Sequence, residues 1–191
     1  MTATRAFGLI LLVLLVAAIG VVLIVVAPQW YAARRPPVRA GAPAADAVAT
    51  RKIRATLFYV SEDGKRLVPV EREVPYGEGV VEQAKRIVEA EIADAPAPLV
   101  SAMPPGTRVR AVYVSDKGDA FIDFSHELVA AHPGGSLNEL LTVYAVVDAL
   151  TANLPAVRAV QLLVDGREVD TLAGHVDLRR PLSKSSIVLN D

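Results

Sequence analysis

The sequence contains no cysteine, a single tryptophan and almost no excess of either charge. Without cysteine, the chain cannot build a disulfide framework, a thiol nucleophile, a cysteine-ligated zinc site or a lipid-modified cysteine. A net charge of -1 argues against a dedicated nucleic-acid-binding protein, which normally carries a strong basic excess. A length of 191 residues suits one ordinary domain with additional segments and is too short for two full domains.

One long uncharged stretch lies near the N-terminus. Residues Phe7 to Ala27 carry no charged side chain, and their number suits a helix that crosses about 30 Å of hydrocarbon. Trp30 and Tyr31 follow, as in the aromatic belt at a membrane surface. The stretch also exceeds the apolar core of a signal peptide, which has about 7–15 residues. We predict a short segment at 1–6 and a transmembrane helix at 7–27, with cleavage near Ala40 as the open alternative.

Residues 28–50 are predicted to form a linker rich in proline and alanine, a composition that favours extended backbone. Arg34, Arg35 and Arg39 follow the apolar stretch, whereas only Arg5 precedes it, so the positive-inside tendency alone would place the following domain in the cytoplasm. Long domains, however, cross membranes largely regardless of their charge. We expect a single-pass protein of the inner (cytoplasmic) membrane with an extracytoplasmic, periplasmic domain, against the direction that these arginines indicate.

Residues 51–182 show the patterns of a small globular domain, and a polar tail follows at 183–191. Apolar residues at every second position predict five strands, and helical spacing predicts two helices. The strands lie near Ile53–Tyr59, Leu67–Val74, Val109–Ser115, Ala120–Phe124 and Val160–Val164, and the helices near Val80–Ile92 and Ser136–Leu154. The order β-β-α-β-β-α-β predicts an α+β fold with two helices packed on one face of a mostly antiparallel sheet.

The second of these helices has two unusual features. Ser136 and Glu139 have the spacing of a capping box, in which the serine accepts a backbone hydrogen bond and the glutamate reaches back. The helix is also apolar almost all round, so it is either central in the core or covered by a partner, and central packing is the commoner case. The predicted buried face is Leu137, Leu140, Leu141, Tyr144, Val147 and Leu154, and the opposite stripe is Asn138, Thr142, Ala145, Ala149 and Ala152.

Ser125, His126 and Glu127 are the residue types of a hydrolytic triad, but sequence neighbours seldom point at one another, because triads are assembled across a fold. We interpret these residues as a polar loop at a strand end. Asp165 and Gly166 are interpreted as a turn.

Metal and phosphate motifs are equally weak. The histidines have no zinc-site spacing, the aspartates around the second hairpin lack the spacing of a calcium loop, and the glycine pair before the first helix does not form a phosphate motif. The residues concerned are His126, His132 and His175; Asp116, Asp119 and Asp123; and Gly77 and Gly79. We therefore predict no catalytic, cofactor-binding or metal-binding residue, no cofactor and no enzymatic activity.

Several short motifs occur in an order that resembles the GerMN domain family. They are Leu57-Phe58-Tyr59, Leu67-Val68-Pro69-Val70-Glu71-Arg72, Pro104-Pro105-Gly106-Thr107, Ala120-Phe121-Ile122-Asp123-Phe124-Ser125, Gly134-Gly135-Ser136, Val164-Asp165-Gly166 and Gly174-His175-Val176-Asp177. The resemblance covers about residues 53–181, with room for one copy of the domain. It implies an anchored, extracytoplasmic interaction module, in a family named for sporulation and spore germination, and not an enzyme.

Two functions follow as expectations. The first is a non-enzymatic, membrane-anchored module of the cell envelope that acts by protein–protein interaction, with an envelope protein or with its own copies. The alternative is an envelope protein that binds or modifies peptidoglycan. The membrane is a partner in both cases, and nucleic acid in neither.

Overall fold

The computed structural model describes residues 51–185. The predicted transmembrane helix, the linker and most of the polar tail lie outside these residues. Among the helices that are described, none is both long enough and apolar enough to cross a membrane. The elements are, in chain order, β1 (Lys52–Val60), β2 (Leu67–Pro75), α1 (Gly79–Ile92), β3 (Val109–Val114), β4 (Asp119–Phe124), α2 (Glu127–Ala130), α3 (Ser136–Asn153), β5 (Ala159–Val164), β6 (Arg167–Glu168) and β7 (Leu182–Ser183).

The strands form two sheets, which corrects the prediction of a single sheet. β1 and β2 form an antiparallel hairpin, while β3, β4, β5 and β6 lie side by side in the second sheet, with β7 also paired to β5. β4 and β5 are parallel, because the chain between them returns through α3. The long helices also contact strands of both sheets, α1 through β1, β2 and β3 and α3 through β1, β5 and β7. The mixed α+β class is therefore confirmed, and the placement of both helices on one face of one sheet is wrong.

Side chains, instead of a further strand, cover the edge of β1 that faces away from β2. The Asn153 side chain accepts the N–H of Thr56 at 2.8 Å and donates to its carbonyl at 2.7 Å. The buried Glu91 carboxyl accepts the N–H of Phe58 at 3.1 Å, and the backbone of Val100 forms an isolated bridge further along. Because these backbone groups already have partners, β1 ends its sheet there.

Helix α3 is central, as predicted, and Leu141, Val147 and Leu154 of its predicted face are buried, but the buried surface also includes residues that were expected to lie outside. The small residues Ala145 and Ala149 are fully buried, whereas Leu137 is 42% exposed. α3 contacts both sheets and α1. Its small side chains let these elements pack closely against the helix, whereas the sequence pattern predicted large side chains at this contact. The middle of the predicted outer stripe, Thr142, Ala145 and Ala149, is therefore core surface, while Asn138 and Ala152 at its ends are exposed.

Strand β3 also departs from simple alternation. Its pairing with β4 shifts register between Val109 and Ala111. Val112 is the buried residue of the strand, and Tyr113, which belongs to the alternating apolar set, is 59% exposed. A bulge of this kind reverses the face on which the following side chains lie.

Candidate functional site

Strands β4 and β5 are parallel, so the residues that follow them lie at the same edge of the sheet. Phe124 and Val164, the last residues of the two strands, are register partners. Ser125 and Asp165 follow, and the Asp165 N–H donates to the Phe124 carbonyl at 2.9 Å. Ser125 and Arg108 are also joined through their backbones. Three of the GerMN-like motifs, at 104–107, 120–125 and 164–166, thus meet at this edge.

A chain of opposite charges crosses the edge. The Arg110 guanidinium donates to Asp165 and lies 3.5 Å from the Asp123 carboxylate. Asp123 also accepts the N–H of Gly166 at 2.7 Å, and His126 Nδ1 lies 3.7 Å from Asp165. Each carboxylate therefore already has a cationic or N–H partner.

A groove of about 460 Å³ opens beside these charges. Valine side chains supply its apolar surface, and charged or polar groups stand around it. The lining residues are His126, Val129, Val164, Asp165, Arg167, Glu168 and Val169. Such a groove combines apolar contact area with hydrogen-bonding groups, which are the requirements for binding a partner chain or a small polar ligand.

Ser125, His126 and Glu127 lie close to this groove but make separate contacts. The Ser125 hydroxyl oxygen accepts the N–H of Arg108 at 3.0 Å. The same hydroxyl beside Glu127 holds the pKa of that carboxyl below its usual range. His126 instead approaches Asp165. In residues 51–185 the serine is thus associated with a carboxyl and a backbone amide, and the imidazole with a different carboxylate.

The three histidines lie in three different environments. His132 Nδ1 accepts the N–H of Gly134 at 3.0 Å, and its Nε2 lies 3.3 Å from the Thr142 hydroxyl. Burial lowers the pKa of His132. His126 contacts Asp165 and His175 contacts Glu139. Across the described part of the chain, no group of three or more His, Asp or Glu side chains could hold a metal ion.

The predicted capping box is wrong. Gly135, with φ +86°, precedes the first helical residue, and Ser136 is already helical. Within residues 51–185, no side chain caps this end of α3. The fully buried Glu139 turns away from the helix start and accepts the N–H of Leu172 at 2.7 Å and of His175 at 2.8 Å. The glutamate therefore holds the loop before Leu178 instead of its own helix.

The electrostatics of Glu139 follow from this arrangement. Burial by itself would raise the pKa of the carboxyl, but backbone N–H groups of the loop 172–176 lower it below its ordinary value. His175 Nδ1 lies 3.1 Å from Glu139 Oε2, which orients the imidazole. An ionised carboxylate in a ring of N–H donors is a strong attachment for the loop. It was missed because all these donors are distant in sequence.

The beginning of α3 lies between two smaller grooves, of about 300 and 200 Å³. Two large apolar side chains line them and are well exposed, Leu137 at 42% in the first and Val100 at 56% in the second. Leu140, Val176 and Leu141 provide further apolar lining. We refer to the surface formed by Val100, Leu137, Leu140 and Val176 as the α3 surface.

The fold and these sites define a small α+β domain whose polar motif residues mainly hold loops and strand ends together. The chain belongs to the Germane family, described as sporulation and spore germination, whose family model matches residues 56–170. The resemblance to GerMN domains is thereby confirmed. No curated protein matches the chain.

Solved structures show the same fold. The tandem GerMN domains of the sporulation protein GerM from Bacillus subtilis are 20% identical, with a TM-score of 0.56, over 74% of this chain and 51% of that one. The chain thus spans about half the length of that tandem structure. The first GerMN domain of the same protein is 22% identical, with a TM-score of 0.57, over 69% of this chain and 97% of that one.

Proposed function

We propose that the chain is a non-enzymatic, membrane-anchored module of the cell envelope that binds another protein through the α3 surface. The observation that carries this proposal is the exposure of Val100 and Leu137 beside apolar grooves at the start of an otherwise buried helix. Apolar side chains that stay exposed beside a groove are typical of interaction sites. Glu139 and the loop that it holds give this surface a fixed shape, which reduces the ordering cost of binding.

The polar groups of the motifs support a role without catalysis. Asp123, Ser125 and Glu139 each accept a backbone N–H from a distant segment, so they stabilise the fold. In a hydrolytic triad a histidine activates the serine. The Ser125 hydroxyl instead contacts Arg108 and Glu127, while the His126 imidazole approaches Asp165.

Crosslinking in native membranes tests the interaction. A photoreactive amino acid replaces Leu137 or Val100 in the full chain, and Val81, an apolar residue of α1 with 43% exposure, is the matched control position. We expect adducts of one common mass from positions 137 and 100 and none from position 81. A mass of twice the chain identifies a second copy, and any other mass identifies a different protein. Absence of adducts at both positions, or the same adducts at position 81, contradicts the proposal.

Placement of the domain outside the cytoplasm is tested with the same chain. Because the sequence has no cysteine, Lys65→Cys in the exposed β1–β2 hairpin creates a single labelling site. A membrane-impermeant maleimide should label it in intact cells, while the chain stays with the membrane after alkaline washing. Labelling only after lysis would place the domain in the cytoplasm.

Peptidoglycan binding is the second candidate, and Tyr113 favours it. Its ring is 59% exposed on β3, and an exposed aromatic face is suited to contact with sugar rings. Full chain in detergent should then sediment with purified peptidoglycan, and Tyr113→Ala should reduce the bound fraction. Equal sedimentation of both proteins removes this candidate. Release of muropeptides by wild type but not by Ser125→Ala would instead establish a modifying enzyme.

A further inference from the structure

The last described segment of the chain, residues 182–185, lies over the edge of β5. β7 pairs with β5 at only two positions, Ala159 with Ser183 and Val160 with Leu182. Beyond β7, the Ser185 N–H donates to Asp148 Oδ1 of α3 at 3.2 Å. We call residues 182–185 the C-terminal strap. A ladder of only two residue pairs opens more easily than the longer ladders of a folded domain.

Asp148 is an unusual residue to hold such a strap. Its side chain is inside the domain on α3, with no exposed area. Its second oxygen, Oδ2, is buried and accepts no hydrogen bond from any residue between 51 and 185. A carboxylate that is ionised in this position lacks the full set of partners that a buried charge requires.

We propose that the C-terminal strap is a pH-sensitive closure of the β5 edge, in which Asp148 is the switch: acid closes the strap and neutral pH loosens it. When the strap opens, water reaches Asp148, and the β5 backbone at Ala159 and Val160 loses its β7 neighbour and stays paired with β4 alone. The switch thereby controls whether this part of the sheet edge is covered.

The direction follows from the surroundings of Asp148. Burial raises the pKa of its carboxyl to about 6, against the opposing effects of the Ser185 N–H and of the Lys184 ammonium. Tyr144, one turn earlier on α3, also faces it, and burial raises the pKa of that phenol further from neutrality. β5 has no ionisable side chain. Asp148 is thus the group that titrates between acid and neutral pH.

The sign of the effect is worked out by linkage. An open strap hydrates Asp148 and returns its pKa toward the ordinary value of 3.8. Because the pKa is higher in the closed state, closure is favoured fully below 3.8 and loses its advantage as the pH rises through about 6. The difference between these values corresponds to roughly a hundredfold change in the ratio of open to closed straps.

A spin label on the strap tests the proposal in the full chain in detergent. Ser183→Cys provides the single attachment site, and the mobile fraction of the nitroxide is measured from about pH 4 to about pH 8. We expect the mobile fraction to rise with pH in wild type and to level off above about pH 6. Asp148→Asn, which keeps a carbonyl oxygen for Ser185, should give a flat profile. Asp177→Asn removes an exposed carboxylate and should titrate like wild type.

Two results would overturn the proposal. The first is a mobile fraction in the wild-type background that does not change with pH, a measurement that needs no substitution at Asp148. The second is the same rise with pH in Asp148→Asn. A label at Lys65→Cys in the β1–β2 hairpin reports general unfolding, and it should stay unchanged over the range.

Discussion

Replacement of Glu139 by glutamine should destabilise the domain far more than an ordinary surface change. The wild-type carboxylate accepts N–H groups on both oxygens, from Leu172 at 2.7 Å and from His175 at 2.8 Å. Glutamine has one oxygen and one NH₂ group, so one of these buried donors then faces another donor. His175 also loses the charged partner that orients its ring.

The size of the effect can be worked from these contacts. Hydrogen bonds to charged groups contribute about 1.5–3 kcal/mol each, and a buried donor left without an acceptor costs about 1–3 kcal/mol. We therefore expect Glu139→Gln to lower the free energy of unfolding by about 3 kcal/mol, a large part of the roughly 5–15 kcal/mol typical of a domain.

The assay is urea unfolding of the full chain in detergent, followed by far-UV circular dichroism. Glu89→Gln is the matched control, because Glu89 is a partly exposed glutamate paired with Arg86 on α1. Glu89→Gln should lower the free energy of unfolding by less than about 0.5 kcal/mol. Similar dependence of the unfolding free energy on urea in all three proteins shows that the same surface unfolds.

The pH dependence provides a second, independent comparison. Backbone N–H groups hold the pKa of Glu139 below its ordinary value of 4.5. The stabilisation is therefore present above 4.5 and is lost as the pH falls through the lower value in the folded state. The difference in unfolding free energy between wild type and Glu139→Gln should therefore become smaller in acid. A gap below about 1 kcal/mol at neutral pH, or one that widens in acid, would refute the reasoning.

Two further substitutions are predicted from buried positions. Burial raises the pKa of Glu91 well above its usual range, so its ionisation destabilises the fold as the pH rises. Glu91→Gln keeps an oxygen for the Phe58 N–H and should be more stable than wild type at about pH 9. This advantage should disappear toward about pH 4. Equal thermal midpoints of the two proteins at both pH values would contradict this. A Cβ at Gly77 would lie 2.5 Å from the Gln83 backbone nitrogen, so Gly77→Ala should cost about 2 kcal/mol or more. At Gly64 an added Cβ meets open space, and only the φ of +73° causes strain, so Gly64→Ala should lower the free energy of unfolding by about 1 kcal/mol. A larger loss of stability at Gly64 than at Gly77 would contradict the argument.

Local features of the fold were predictable because short-range physics decides them. The turn at Asp165 and Gly166 is confirmed, with φ values of +52° and +74° that these residue types tolerate. The inward face of β4, with Ile122 and Phe124 fully buried, follows directly from period-two alternation. Helix α3 ends just before Leu154 and Pro155, close to the predicted boundary.

Features that depend on distant partners were predicted poorly. Glu139 has the spacing of a capping residue, but its hydrogen-bond partners lie 33 and 36 residues further along the chain. The buried Glu91 follows the same rule, since its partner Phe58 lies on another element. Whether a carboxylate accepts from a local or a distant N–H donor depends on the free energy of the whole packed structure, which no spacing rule contains.

The sequence by itself determined the five main strands, the two long helices and the tight turns, because backbone preference and apolar periodicity act over a few residues. The family followed from the resemblance of its ordered short motifs. Only the tertiary structure decided that β1 and β2 form a separate sheet, that the small face of α3 is buried, and that Arg110 joins Asp123 to Asp165. These outcomes depend on which surfaces exclude water together and which buried N–H groups find an acceptor. Both conditions are met only when segments far apart in the chain are packed at the same time.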